Sequence, residues 1–466
     1  MHEMVLNSLA RTISKFGFLM VLVSASLLGE MASCRADETP RGPKQFATSV
    51  AMLNDQECWK RMPAAVSGSG QALPSWAKAV ASQLPRTAAA MLQLDLAHRT
   101  KSPLDAVLRG KMRWVIAHAN RCAYSEAYAL ADLTRAGVDA ATLEVLQGTA
   151  ASWPEADRDP LEFARLLTVA APTISDELFE RLRSRFSDKQ VAAMVLLGAY
   201  GNFQDRIVLG LNLSLEEDGP LSPVDVKFSD DAFQIAPFFP TQKEIPSLIA
   251  SGENVVPKDE EWSQISFNEL QRRLERQRNR KPRLPVPVWD DVKKKLPPAM
   301  AVRPTQIVWN LVCSGYVPEL AISWSIATRT MWAESPTDRI FEESLFWIQT
   351  RSIGCNYCMG HCEMLLEVAG LDKKAIAERT SQLAGPDWSA FPPAEQRAYA
   401  YARKLSRTPW ELKPADYAIL ETDWGSEKAM ATFWWLCRGL YMTRVSDGFQ
   451  LPLERENVFQ SLPMTK

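Results

Sequence analysis

The segment FEESLFWIQTRSIGCNYCMGHC, residues 341–362, decides how the chain folds. Phe341, Leu345, Ile348 and Ser352 recur at helical spacing while Glu342, Glu343 and Arg351 take the other faces, so Phe341 to Ile353 reads as an amphipathic helix. Gly354 interrupts it, and a new helix begins at Cys355. Cys355 and Cys358 then lie on neighbouring parts of one helix face, where two sulfurs can meet in a disulfide. Exposed N–H groups at the start of that helix are expected to lower a thiol pKa and so make a nucleophile. His361, three residues after Cys358, can serve as its base.

The rest of the chain repeats this unit. Shifted by 233 positions, Ser102, Pro103, Asp105, Trp114, Cys122, Tyr124, Leu133, Ala136, Gly137 and Asp139 fall on Ser335, Pro336, Asp338, Trp347, Cys355, Tyr357, Leu366, Ala369, Gly370 and Asp372. Chance pairing over that window gives roughly two or three identities, so the chain carries an internal duplication. Farther on, Ser187, Lys189, Ala192 and Leu197 match Ser426, Lys428, Ala431 and Leu436, and Leu213, Leu215 and Glu216 match Leu451, Leu453 and Glu454. The first copy has Ser125 for Cys358, Gly110 for Glu343 and Tyr128 for His361, so it has lost the chemistry, and Cys122 there is expected to pack. Gly137 and Gly370 each follow an apolar helical run and precede an Asp, which suits a left-handed helix stop and the cap of the next helix. Strand signals are weak everywhere, so the expected fold is all-α, two tandem modules of antiparallel helices joined by short loops.

Glu343, eleven intervening residues, then Cys355-x-Tyr357-Cys358 with a nearby histidine resembles the alkylhydroperoxidase D-like branch of the carboxymuconolactone decarboxylase family. The resemblance implies a thiol-dependent peroxidase or disulfide oxidoreductase. In it Cys358 attacks a hydroperoxide, Cys355 resolves the sulfenic acid as a disulfide, and Glu343 and His361 relay the proton. It implies no cofactor beyond the Cys355/Cys358 disulfide. The carry-over is direct for Glu343, Cys355, Tyr357 and Cys358. It is not direct for His361, because the family's histidine position, four after the second cysteine, is Cys362 here. Cys362 shares the helix face of the pair and reads as a second resolving thiol or a bystander. A metal site of Cys355, Cys358, His361 and Cys362 is disfavoured, since four groups on two turns of one helix cannot surround an ion. Two other functions stay open: a decarboxylating lyase of the family's other branch, and an exported scaffold with idle thiols.

The remaining features bound these readings. A net charge of −2 gives no electrostatic case for nucleic acid, and the basic run Arg272 to Arg283 reads as a solvated helix end and linker. Arg11 and Lys15, the apolar run Phe16 to Leu28 and small residues around Ala32, Ser33 and Ala36 read as an export signal over residues 1–36, with lipid attachment at Cys34 as the lesser reading. Export, periplasmic or extracellular, requires an extracytoplasmic thiol reductant of unknown identity. The domains are then a degenerate module over 45–219, a proline- and charge-rich linker over 220–287, in which Glu260 to Arg280 forms one amphipathic helix, and the active module over 288–466. Family relatives form rings, so a pseudo-dimeric monomer or a small homo-oligomer is expected. Cys58, Cys122, Cys313 and Cys437 are expected as buried packing residues. Trp388, Trp410, Trp424, Trp434 and Trp435 either fill a core or wall a pocket. Arg444 and Asp447 are expected to pair with each other.

Overall fold

Each copy sets its helices with the same local devices. In the computed structural model, residues 47–229, 231–233 and 250–460 are described; the export segment and Cys34 lie outside them. The described residues hold nineteen α-helices and two short strands, Ala65–Ser67 and Lys227–Phe228, so the fold is all-α. After α1 (Asp55–Arg61), the first copy runs α2 (Ser75–Ala81), α3 (Pro85–Thr100), α4 (Ala106–Ala119), α5 (Ala123–Arg135), α6 (Ala140–Gln147), α7 (Glu155–Val169), α8 (Asp176–Arg185) and α9 (Asp188–Gly210). Then come α10 (Phe267–Arg278) and α11 (Trp289–Val292). The second copy runs α12 (Val308–Tyr316), α13 (Pro318–Glu334), α14 (Arg339–Ile353), α15 (Asn356–Val368), α16 (Lys373–Ala384), α17 (Pro393–Arg407), α18 (Pro414–Trp424) and α19 (Ser426–Phe449).

The eight helices of one copy begin at the positions of the eight in the other, offset by 233 residues from α2/α12 to α6/α16 and by 238 from α7/α17 to α9/α19. The caps correspond too. Asp105 accepts from Leu108 N to start α4, and Asp338 accepts from Phe341 N to start α14. Asp139 and Asp372 cap α6 and α16 after the left-handed Gly137 and Gly370, as the sequence implies. Gly354 ends α14 with φ +80°, and its counterpart Arg121 holds φ +55° between α4 and α5, so the sharp break is kept even where glycine is lost.

Like packs on like between the copies: α9 lies along α19 and α3 along α13. Side chains from both halves share one continuous apolar core. Phe203 of α9 meets Trp324 and Trp434 edge-on at 5.2 and 5.5 Å, Trp434 Nε1 points at Met91 Sδ, and Glu334 accepts from Arg86 N and Thr87 N to cap α3. Trp388, Trp434 and Trp435 are core residues, while Trp424 stacks on Phe341 and Trp410 lies under Arg121.

The connecting segment departs from expectation in two ways. Residues 260–280 are two elements rather than one helix: a single 3₁₀ turn, Glu260–Gln264, and then α10, because Ser266 accepts from Glu269 N and starts the helix anew, leaving Ile265 in the break. Leu270 and Leu274 of α10 are buried, and α10 packs on α15. The basic run is not all solvated either. Arg272, Arg273 and Arg276 gather on Glu269 at the surface, but Arg283 is buried. Its guanidinium donates to the carbonyls of Ile174, Asp447 and Gly448, and its N–H to Phe449 O, which straps the connector across the end of α19.

Candidate functional site

Cys355 is the N-cap residue of α15, so the helix begins where the Gly354 break implied. The two thiols of the pair lie near each other and are not bonded to one another. Both are buried, Cys355 completely and Cys358 at 2% exposure. Cys358 Sγ shares a hydrogen bond with Ser446 Oγ at 3.2 Å, and Cys355 Sγ points at Thr443 O at 3.9 Å, both partners on α19.

The helix start does not make Cys355 acidic, contrary to expectation. Burial pushes its thiol well above the usual range, and the neighbouring Cys358 and the carboxyl of Asp447 add to the effect. A few N–H dipoles cannot offset full desolvation of a thiolate. Cys362 is raised in the same way, by burial and then by Glu343. Cys58, Cys122, Cys313 and Cys437 are buried free thiols, as expected, with Cys122 Sγ donating to Ser125 Oγ at 3.3 Å in the first copy.

The expected relay divides into two clusters. His361 Nε2 lies 2.7 Å from Glu454 Oε2 rather than bonding Glu343. Glu454 Oε1 also accepts from Tyr357 OH at 3.0 Å and from Val308 N at 2.8 Å, at the start of α12. Burial alone would raise Glu454, but the charge of His361 and these donors hold it below the ordinary carboxylate range. Phe459 packs edge-on against His361 at 4.9 Å. The segment carrying Glu454 approaches α15 closely at Gly360, where any side chain would collide with Leu453.

Glu343, the other half of the expected relay, is fully buried on α14 beside the Cys362 thiol. Arg339 Nη2 pairs with its Oε1 at 3.0 Å, but neither carboxylate oxygen receives a well-aligned hydrogen bond. Burial raises its pKa, and Arg339 and Arg438 lower it only in part. Arg438 in turn lies 4.1 Å from the ring of Trp435 and 5.4 Å from that of Trp332. Because Cys362 occupies the position four after Cys358, Glu343 faces a sulfur where the resemblance implies an imidazole.

Sequence reasoning missed Glu454 and Asp447 as partners of the site. Glu454 had a signal in the repeat, since it matches Glu216, which accepts from Tyr124 OH and Tyr128 OH at 2.8 Å each and from Ser75 N at 2.6 Å. Every group of the Glu454 cluster thus has a counterpart, with Tyr128 standing for His361. Asp447 is not paired with Arg444, whose Nη2 donates to Thr168 O at 2.9 Å in the first copy; Asp447 faces Cys355 instead. Burial pushes the Asp447 carboxyl up to about 7, against the pull of Arg444 and the Cys355 hydrogen bond. The unfolded chain gives up this proton near pH 4 and the folded chain near pH 7, so stability falls as pH rises between the two. Asp447→Asn is therefore expected to be more stable than the natural protein above pH 7, by up to about 4 kcal/mol, and equal to it below about pH 4. Denaturant melts across that range measure it.

Among the described residues no group of three or more His, Cys, Asp or Glu side chains is arranged to hold a metal ion, and no helix is long and apolar enough to cross a membrane. No protein-family profile matches the chain, and no curated protein is similar enough to count as a relative.

Proposed function

We propose that this protein is a thiol-dependent peroxidase, or disulfide oxidoreductase, whose working groups are Cys358, Cys355, His361 and Glu454. The observation that supports it most is the pair of adjacent thiols at the start of α15, on the same helix as a histidine held by a buried carboxylate. The motif resemblance gives the same reading, and it rests on the Glu343 and Cys-x-Tyr-Cys residues alone.

Cys358 gives up its proton toward His361, and the thiolate attacks the terminal oxygen of a hydroperoxide. An S–O bond forms, the O–O bond breaks, and the proton leaves with the alkoxide as an alcohol, so sulfur is oxidised by two electrons to the sulfenic acid. Cys355 then attacks that sulfur, releasing water and forming the disulfide, which an external thiol donor reduces in two exchange steps. A high Cys355 pKa suits this order, since the resolving thiol stays protonated until Cys358 is oxidised. The two copies act as an intramolecular pseudo-dimer, a reading favoured by the like-on-like packing of α9 with α19 and α3 with α13. The first copy then serves as a scaffold. With the export reading of residues 1–36, the reductant is a thiol donor outside the cytosol.

One equivalent of hydroperoxide should consume two thiols per chain, and peptide mapping should find Cys355 bonded to Cys358, with thiol treatment restoring both. Turnover of a lactone substrate that survives thiol alkylation would favour the lyase reading. Failure of the pair to oxidise at all would favour a scaffold.

A further inference from the structure

Three residues on one face of α19 meet the start of α15. Thr443 O lies 3.9 Å from Cys355 Sγ, Ser446 Oγ lies 3.2 Å from Cys358 Sγ, and the Asp447 carboxyl sits beside the Cys355 thiol. Positions 443, 446 and 447 are three and four apart, so the register that seats the first two contacts also aims Asp447 at the pair. Its Oδ2 is buried and takes no hydrogen bond, while the residue as a whole keeps some exposure. The nearest cations are committed elsewhere. Arg444 Nη2 donates to Thr168 O, and the Arg283 guanidinium to the carbonyls of Ile174, Asp447 and Gly448 and to the Asp176 carboxylate.

The first copy shows which of these groups accompany a second thiol. Under the 238-residue offset of α9 and α19, kept to the helix ends by the left-handed Asn212 and Gln450, Ser446 and Asp447 correspond to Val208 and Leu209. Where Ser125 replaces Cys358, the facing helix thus has neither the hydroxyl nor the carboxylate at these places. Asp205, whose charge bears on Cys122, is taken up by Arg113 and by Asn120 at 2.8 Å. Burying a carboxylate without a partner is costly, and at this position the cost is met beside the dithiol and not beside Cys122.

We propose that Asp447 is the proton acceptor of Cys355, taking the thiol proton as Cys355 closes the disulfide on Cys358 and returning it when the disulfide is opened. In closing, the Cys355 S–H bond breaks toward Asp447, the S–S bond forms, the S–O bond of the sulfenic acid breaks, and the proton leaves with the hydroxide as water. In opening, an external donor thiolate attacks Cys358 Sγ, the S–S bond breaks toward Cys355, and protonated Asp447 gives its proton to that sulfur. A second donor thiol then frees Cys358, and the two donors leave as a disulfide. Cys355 needs such a base because burial holds its thiol well above the usual range. Facing Arg444 on its own helix, Cys355 on α15, and Arg280 and Arg283 of the connector, Asp447 titrates at about 7, where it can both take and give a proton. The proposal rests on the disulfide cycle of the peroxidase reading, but not on the oxidant being a peroxide.

The test compares the natural protein with Asp447→Asn in two arms, melting curves confirming that both fold. In the first, 4,4′-dithiodipyridine oxidises the pair without peroxide: Cys358 releases one thiopyridone, and Cys355 releases the second as it closes the disulfide, which peptide mapping verifies. At about pH 8 the second release should be about 100-fold slower in Asp447→Asn. In the natural protein its rate should rise through an inflection near pH 7 that the variant lacks. In the second arm, one equivalent of hydroperoxide should form the Cys358 sulfenic acid equally fast in both proteins, and only in Asp447→Asn should it persist long enough for a sulfenic-acid-specific probe to capture most of it. Equal closing rates, slower closing with the inflection retained, or no second release from the natural protein would overturn the proposal. Slow closing in the variant with no sulfenic acid in either protein would uphold the role of Asp447 and discard the peroxidase reading.

Discussion

Cys358→Ser is expected to abolish thiol-dependent hydroperoxide consumption, by about a thousandfold or more, while the protein melts within about 1 kcal/mol of its natural stability. The loss is large because a serine hydroxyl ionises far outside the neutral range and its oxygen cannot pass through a sulfenic acid. The stability effect is small because Cys358 already shares a hydrogen bond with Ser446 Oγ, and a hydroxyl can take over that contact in a buried site of the same shape. Cys358→Ala separates the two effects: it leaves Ser446 without that partner yet should fold, and it should be as inactive as the serine variant. Cys355→Ser should differ from both. It should consume one equivalent of peroxide and stop, with a sulfenic acid on Cys358 that a sulfenic-acid-specific probe captures. Steady turnover by Cys358→Ser in a continuous assay would remove Cys358 from the reaction and the peroxidase reading with it.

What the sequence made legible was governed by local rules. The break at Gly354, the stops at Gly137 and Gly370 and the caps at Asp139 and Asp372 each depend on one or two residues, and each stands where the spacing implied. The all-α class followed from the same periodicity. Two local readings failed for identifiable reasons. Ser266 and Glu269 restart a helix inside residues 260–280, and Arg283, at the end of a solvated basic run, turns inward because free carbonyls at the end of α19 await a donor. The site was legible as a set of residue types but not as a set of pairs. Which carboxylate serves His361 depends on a segment that returns over α15 ninety-three residues later, and what Asp447 meets depends on the packing of α19 against Cys355. The direction of the Cys355 shift failed likewise, because helix-end dipoles can be read from sequence and depth of burial cannot.

The duplication supplies a control for the second large effect, at Glu454. Glu454 and Glu216 do the same structural work: each accepts a backbone N–H at the start of the matching helix, Val308 or Ser75, and two side-chain donors. Removing either carboxylate leaves three donors without an acceptor, so Glu454→Ala and Glu216→Ala should each cost about 3–5 kcal/mol, read from chemical denaturation. Their consequences for turnover should diverge, because only Glu454 holds an imidazole. Glu454→Gln preserves shape and part of the hydrogen bonding but cannot stabilise a protonated His361, so kcat/KM should fall about 10- to 100-fold. Glu216→Gln should leave turnover within twofold. The pH dependence separates them further. Glu454 is held below the ordinary carboxylate range, so its contribution to stability is complete above that range and is lost as pH falls through its lower folded value. The stability gap between the natural protein and Glu454→Gln should therefore narrow toward strongly acidic pH. Equal loss of turnover in the two glutamine variants would mean that the carboxylate acts only through folding, and would leave His361 without a role in proton transfer.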